Sequence, residues 1–242
     1  MKLLCKLLAI ISISTYADTD TSILIGKSLI ESGDGIVAMT EHLFENGQYK
    51  RQFTKAETVL YMSKFQINAD GLSVEILAGH PSQLGRYIVK NGVLEVHDST
   101  GVLLWTEKLK LPICPPELSA EFVRANWDSL VVGGKPLKCV IPIIKAKKVA
   151  PVQWVRLPDT DNSRRVVEIQ PASFGMRFFL SPTQLIFDAT GMNWISQNGQ
   201  FESTRDPARW PRYLKGKGEF TAPRQVIQMS KSNFSIGINS DD

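Results

Sequence analysis

The chain has 242 residues, 43% apolar content and a formal net charge of +4. It can bury a sizeable core, so wholesale disorder is excluded. The charge is too weak to argue for nucleic acid as a partner.

The first residues, MKLLCKLLAIISISTYADTD, set Lys2 and Lys6 before a short apolar run, Leu7 to Ser14. Spanning a bilayer takes about 20 residues, so this run is too short. Small residues at Thr15–Ala17 complete the pattern of a secretory signal peptide over 1–17, with cleavage expected after Ala17. Cys5 precedes the end of the run and cannot be a lipoprotein acceptor. No later segment is long and apolar enough to span a membrane as a helix. The expected compartment is the bacterial periplasm, with secretion as the alternative. Removing Lys2 and Lys6 leaves 26 basic against 24 acidic side chains. The mature chain divides into a lead-in over 18–34, one β-rich domain over 35–220 and a polar tail over 221–242.

The domain reads as strands and turns. Turn signals fall at Glu45–Gln48, Asn91-Gly92, Asp98–Gly101 and Asp188–Gly191. Asn-Gly supplies the positive φ angles that tight hairpins need. Leu94 and Val96 alternate with Glu95 and His97, which predicts one buried and one wet face. One helix is expected over about 116–131, where prolines open and glycines close PPELSAEFVRANWDSLVVGG. Glu117, Glu121, Arg124 and Asp128 share one face at helical spacing, and Leu118, Phe122, Val123, Trp127 and Leu130 take the other. Its expected role is to cover the sheet. Strands then resume around a basic tip at Lys145–Lys148. Phe174, Met176 and Phe178–Leu180 form an apolar cluster broken at Ser181-Pro182, and Leu185 and Phe187 are expected to face one way with Ile186 the other. The expected fold is mainly β: an antiparallel, curved, barrel-like sheet with one covering helix.

Cys114 and Cys139 are the two cysteines of the mature chain. An even pair in an oxidising compartment suggests a disulfide. Closing a loop of about 25 residues contributes roughly 3 kcal/mol in the chain-entropy model.

The sequence holds no G-x-S-x-G, H-E-x-x-H or C-x-x-C motif, and no catalytic, metal or cofactor residue is assigned. Asp159–Ser163 imitates the start of a calcium loop, but Arg164 replaces the required glycine and Gln170 the closing glutamate, so a polar turn is expected. His42, His80 and His97 lie on separate elements, and exposed strand or loop positions are expected for them. Arg205, Arg209, Arg212, Lys215 and Lys217 surround Trp210 and Tyr213, which reads as a solvated loop pinned by its aromatics.

Two stretches, RANWDSLVVGGKPLKCVIPIIKAKKVAPVQWVRL and VVEIQPASFGMRFFLSPTQLIFDATGMNWISQNGQF, together resemble a group of exported, β-rich bacterial proteins whose domain has no assigned function. The resemblance covers about Gly35 to Phe201. It implies a signal-bearing envelope protein with a barrel-like antiparallel sheet, and it assigns no catalytic residue. The fold expectation is also analogous to periplasmic lipoprotein carriers, whose curved sheets shelter acyl chains; fold analogy alone is a weak warrant for function. The leading expectation is a non-enzymatic envelope protein binding an apolar or lipid-like ligand. The alternative is a structural or partner-binding envelope protein with a solid core. A hydrolase assembled only in three dimensions ranks third.

Overall fold

A computed structural model describes residues 22–33, 35–68, 71–159, 161–172, 182–203 and 213–235. Several expectations lie outside the described residues. They are the signal peptide and Ala17, the cluster from Phe174 to Ser181, and Arg205, Arg209, Trp210 and Arg212.

The chain builds two antiparallel meanders. The first comprises β1 (Ser22–Ser32), β2 (Gly35–Phe44), β3 (Tyr49–Lys55), β4 (Thr58–Asn68), β5 (Gly71–Ala78), β6 (Gly85–Lys90), β7 (Val93–His97) and β8 (Leu103–Lys108). The second comprises β9 (Leu137–Ile143), β10 (Lys148–Arg156), β11 (Arg164–Pro171), β12 (Thr183–Asp188), β13 (Asn193–Ser203) and β14 (Tyr213–Gln225). Among the described residues, β1 pairs with β14, so both meanders join in one sheet of 14 strands with β8 and β9 at its ends. The mainly β, antiparallel architecture matches the expectation. The sheet does not close, since β8 and β9 are not paired with each other.

Local chemistry explains the hairpins. Asn91 and Gly92 adopt φ angles of 50° and 73°, as a two-residue hairpin turn requires. The Asp98 carboxylate accepts from Thr100 N at 2.8 Å and Val102 N at 3.0 Å. Asp188 repeats this with Thr190 N at 3.2 Å and Met192 N at 3.1 Å. Leu94 and Val96 are buried, Glu95 is exposed and His97 is half-buried, as the alternation predicts. Leu185 and Phe187 are buried and Ile186 is not, again by alternation.

The connection from β8 to β9 crosses the inner face. Ile113 forms a parallel bridge with Val140, flanked by Cys114 N to Val140 O and Val140 N to Pro112 O, both 2.9 Å. Cys114 and Cys139 are bonded there, with Cα atoms 5.9 Å apart, inside the usual disulfide range. A 3-10 turn (Pro116–Leu118), helix α1 (Ser119–Ala125) and a π-helical turn (Asp128–Val132) follow. The expected helix over 116–131 is thus a chain of three short helical pieces.

Two placements go beyond what local pattern indicates. Of the four polar residues that share a face at helical spacing, Glu117 and Glu121 are 3% and 0% exposed. Their charges are met by partners brought from distant strands, while Arg124 is half-buried and Asp128 exposed, so the polar face is enclosed only at its N-terminal end. The body also extends beyond 35–220. β1 lies in the segment read as a lead-in, and it occupies the middle of the sheet because both of its edges are paired. In the segment read as a polar tail, Val226 and Phe234 are each 1% exposed. Phe234 packs edge-on against Phe122 at 5.2 Å and accepts Ile113 N at 3.0 Å, which anchors the tail.

Candidate functional site: a buried carboxylate–guanidinium cluster

Strand alternation places Glu41 of β2, Arg51 of β3, Tyr61 of β4 and Tyr87 of β6 on the inner face. Arg224 enters from β14 and is 1% exposed. The helical run supplies Glu117 and Glu121 from the opposite side.

Arg51 Nε donates to Glu41 Oε1 at 2.9 Å, and Arg51 Nη1 donates to the Pro116 carbonyl at 3.3 Å. Arg224 bridges two carboxylates, with Nε 2.5 Å from Glu41 Oε2 and Nη1 2.5 Å from Glu121 Oε1. Tyr61 and Tyr87 donate their hydroxyls to the two oxygens of Glu117 at 2.7 and 3.0 Å. Both guanidiniums also stand over the Trp194 ring, 5.8 and 5.7 Å from its centroid. Buried charges need this density of partners, because desolvating an unpaired charge is very costly. Gly26 of β1 leaves the room: a Cβ there would lie 2.9 Å from Glu41 Oε2 and 3.2 Å from Arg224 Cγ.

Burial pulls the Glu41 carboxyl up, but Arg224 and Arg51 outweigh it and hold it below its ordinary value. Burial pulls Arg224 down, and the Glu121 and Glu41 carboxylates reverse this and raise it. Burial, helped by Glu121, raises the Tyr49 phenol. Glu41 and Arg224 are therefore each set to stay ionised. The cluster's chemistry is attachment: it ties the helical run to β2, β3, β4, β6 and β14.

The sequence-derived candidates lie elsewhere. His42 is half-buried on β2, 3.4 Å from Ser22 Oγ. His80 departs from expectation: it is 6% exposed, and its Nδ1 caps a short turn by accepting Ser82 N at 3.2 Å. His97 Nδ1 lies 3.2 Å from the Gly101 carbonyl. The three histidines are not brought together, and no group of three or more His, Cys, Asp or Glu among the described residues is placed to share a metal ion. In the calcium-loop imitation, Asp159 pairs with Arg156 at 2.7 Å and Arg165 at 3.3 Å, and Asp161–Ser163 is a polar turn in which the Asp161 carboxylate accepts Ser163 N at 2.6 Å. Lys215 and Lys217 lie on β14, with Lys217 2.6 Å from Glu219. Sequence reasoning missed Glu41, Arg51, Arg224, Tyr61 and Tyr87. The only local signal was a charged residue at an inward position of an alternating strand, as at Glu41 and Arg51.

The chain matches no known family model, no curated protein and no solved structure. No helix among the described residues is long and apolar enough to cross a membrane.

Proposed function

We propose that this is an exported, non-enzymatic protein of the bacterial envelope that acts through its surface, around a solid interior. The observation that carries this reading is the filling of the inner face. Trp154, Trp194, Tyr61, Tyr87, Phe122 and Phe234 are all within 2% of full burial, and the helical run is bound among them by the charge cluster. Export is supported by the signal-like N-terminus and by a cysteine pair at bonding distance. The periplasm is the favoured compartment, and the resemblance to exported β-rich proteins belongs to the same reading.

The unclosed sheet favours a second reading, in which an apolar or lipid-like ligand lodges against the inner face. It would have to displace α1 and break the Glu121–Arg224 contact. Native mass spectrometry of protein purified gently from its envelope separates the two. The solid-core reading expects the bare mature mass from Asp18, less two hydrogens for the disulfide. A co-purifying lipid adduct that survives a high-salt wash, and so is not held by surface charge, would overturn it in favour of the second.

A further inference from the structure

The inner face holds each of its charges against an opposite charge or a hydroxyl, whereas the outer face carries a surplus. Strand pairing aligns a row across β2 to β7: His42, Lys50, Lys64, Glu75, Arg86 and His97, each directly opposite the next. Each adjoins a buried residue in its strand (Glu41, Arg51, Ser63, Val74, Tyr87 and Val96), so the row points away from the core. Neighbouring strands lie about 4.8 Å apart, so the row extends roughly 24 Å.

Like charges directly opposite one another disfavour a sheet. Here Lys50 faces Lys64 on one side and His42 on the other. Burial first, and then the Lys50 ammonium, hold the His42 imidazole below its ordinary value. Glu75 is the row's one carboxylate, set between Lys64 and Arg86. Among the described residues, Lys50, Lys64 and Arg86 form no ion pair. The surplus positive charge therefore faces outward.

Two further observations point to the partner. A shallow depression of about 140 Å³ lies within the row, lined in part by Lys64, Ser73, Glu75 and Arg86. That is below the roughly 300–1,000 Å³ of small-molecule pockets, so it suits a compact anionic group presented by a larger surface. Exposed leucines border the cationic centre. Leu24 pairs with His42 at one end and Leu103 with His97 at the other, both 51% exposed, and Leu77 beside Glu75 is 43% exposed. A basic centre with an apolar border is the pattern of a surface that rests on a membrane interface.

We propose that the outer face of β2 to β7 docks on an anionic phospholipid surface, with Lys64 and Arg86 taking lipid phosphates. This deepens, and rests on, the reading that the protein acts through its surface. The test is co-sedimentation of the full mature chain with phosphatidylglycerol vesicles and with phosphatidylcholine vesicles. Binding is expected to the anionic vesicles alone and to weaken as salt rises. Each neutralised cation should lower partition about fivefold, so Lys64→Gln with Arg86→Gln should lower it roughly 25-fold. Both side chains point outward, and an unchanged circular dichroism spectrum would confirm folding. Lys138→Gln on β9 removes a single charge away from the row and should leave binding intact, whereas Lys64→Gln alone should lower it about fivefold. Soluble glycerol phosphate and poly-glutamate should fail to compete at matched charge.

Absence of vesicle binding would overturn the proposal, as would equal loss with Lys138→Gln. Competition by free glycerol phosphate would reassign the row to a soluble anion, and competition by poly-glutamate to an acidic protein. None of these outcomes bears on whether the interior is solid, which the lipid-adduct measurement decides separately.

Discussion

At the residue scale, Glu121 and Glu41 differ in consequence although both hold Arg224. Glu121 is the carboxylate through which α1 reaches β14, and it is fully buried. Glu121→Ala removes one partner of a buried ion pair and should cost about 3–5 kcal/mol, read as a lower urea midpoint at unchanged slope. Glu121→Gln keeps an acceptor for the guanidinium and should cost less. Glu41 sets the acid limit. Its folded-state carboxyl is held below the ordinary 4.5, so its contribution is present above that value and is lost as pH falls through the lower folded value. Urea unfolding at stepped pH should show stability dropping as pH falls below 4.5, the ordinary value of the group. Glu41→Gln, weaker at neutral pH, should show a flatter acid limb. An unchanged slope in that variant would assign the acid sensitivity to other carboxylates.

At the scale of elements, the helical run is held at both ends by features of opposite visibility in the sequence. Its C-terminal end rests on Trp127, whose ring packs edge-on to Phe187 at 5.7 Å and lies beneath the β12–β13 turn. Gly191 in that turn has a φ of +72°, and a Cβ there would stand 2.6 Å from the Trp127 ring. Gly191→Ala combines a disfavoured backbone with overpacking, so a loss of about 2–4 kcal/mol is expected, with a shift in tryptophan emission. Loss of stability without an emission change would place the cost in the turn alone. The Asp-x-x-Gly signal of this turn was legible, because turn chemistry is local. The seating of Glu117 and Glu121 was not. Helical spacing put them with Arg124 and Asp128 on one face, and in a sequence that face reads as wet. Arg224, Tyr61 and Tyr87, which satisfy them, lie 103, 56 and 30 residues away. Burial of a charge depends on such partners, and no local pattern records them.

At the scale of the whole molecule, the hairpins were legible for the same local reason, while the β1–β14 pairing that unites the meanders was not. Ser28 lies opposite Phe220, and nothing between them in the chain signals that contact. This seam makes one sheet of two meanders, and it should also make one folding unit of them. Leu29 tests the idea without disturbing the core. It lies between the buried Ser28 and Ile30, and its side chain is 45% exposed on the outer face. Leu29→Pro removes a backbone donor from a strand paired on both edges, a position that proline does not tolerate. Leu29→Thr keeps the backbone and supplies a good strand residue, so it should cost less than about 1 kcal/mol. In the unaltered protein and in Leu29→Thr, circular dichroism and tryptophan fluorescence should report one coincident unfolding transition. Fluorescence there is weighted towards the helical run and the second meander, through Trp127, Trp154 and Trp194. In Leu29→Pro the two signals should separate, because the first meander, β1–β8, loses its link to β14 while the second keeps the helical run, held by the Cys114–Cys139 bond. Coincident transitions at a uniformly lower midpoint would show instead that the charge cluster, which also spans β2, β3 and β14, suffices to couple the two meanders.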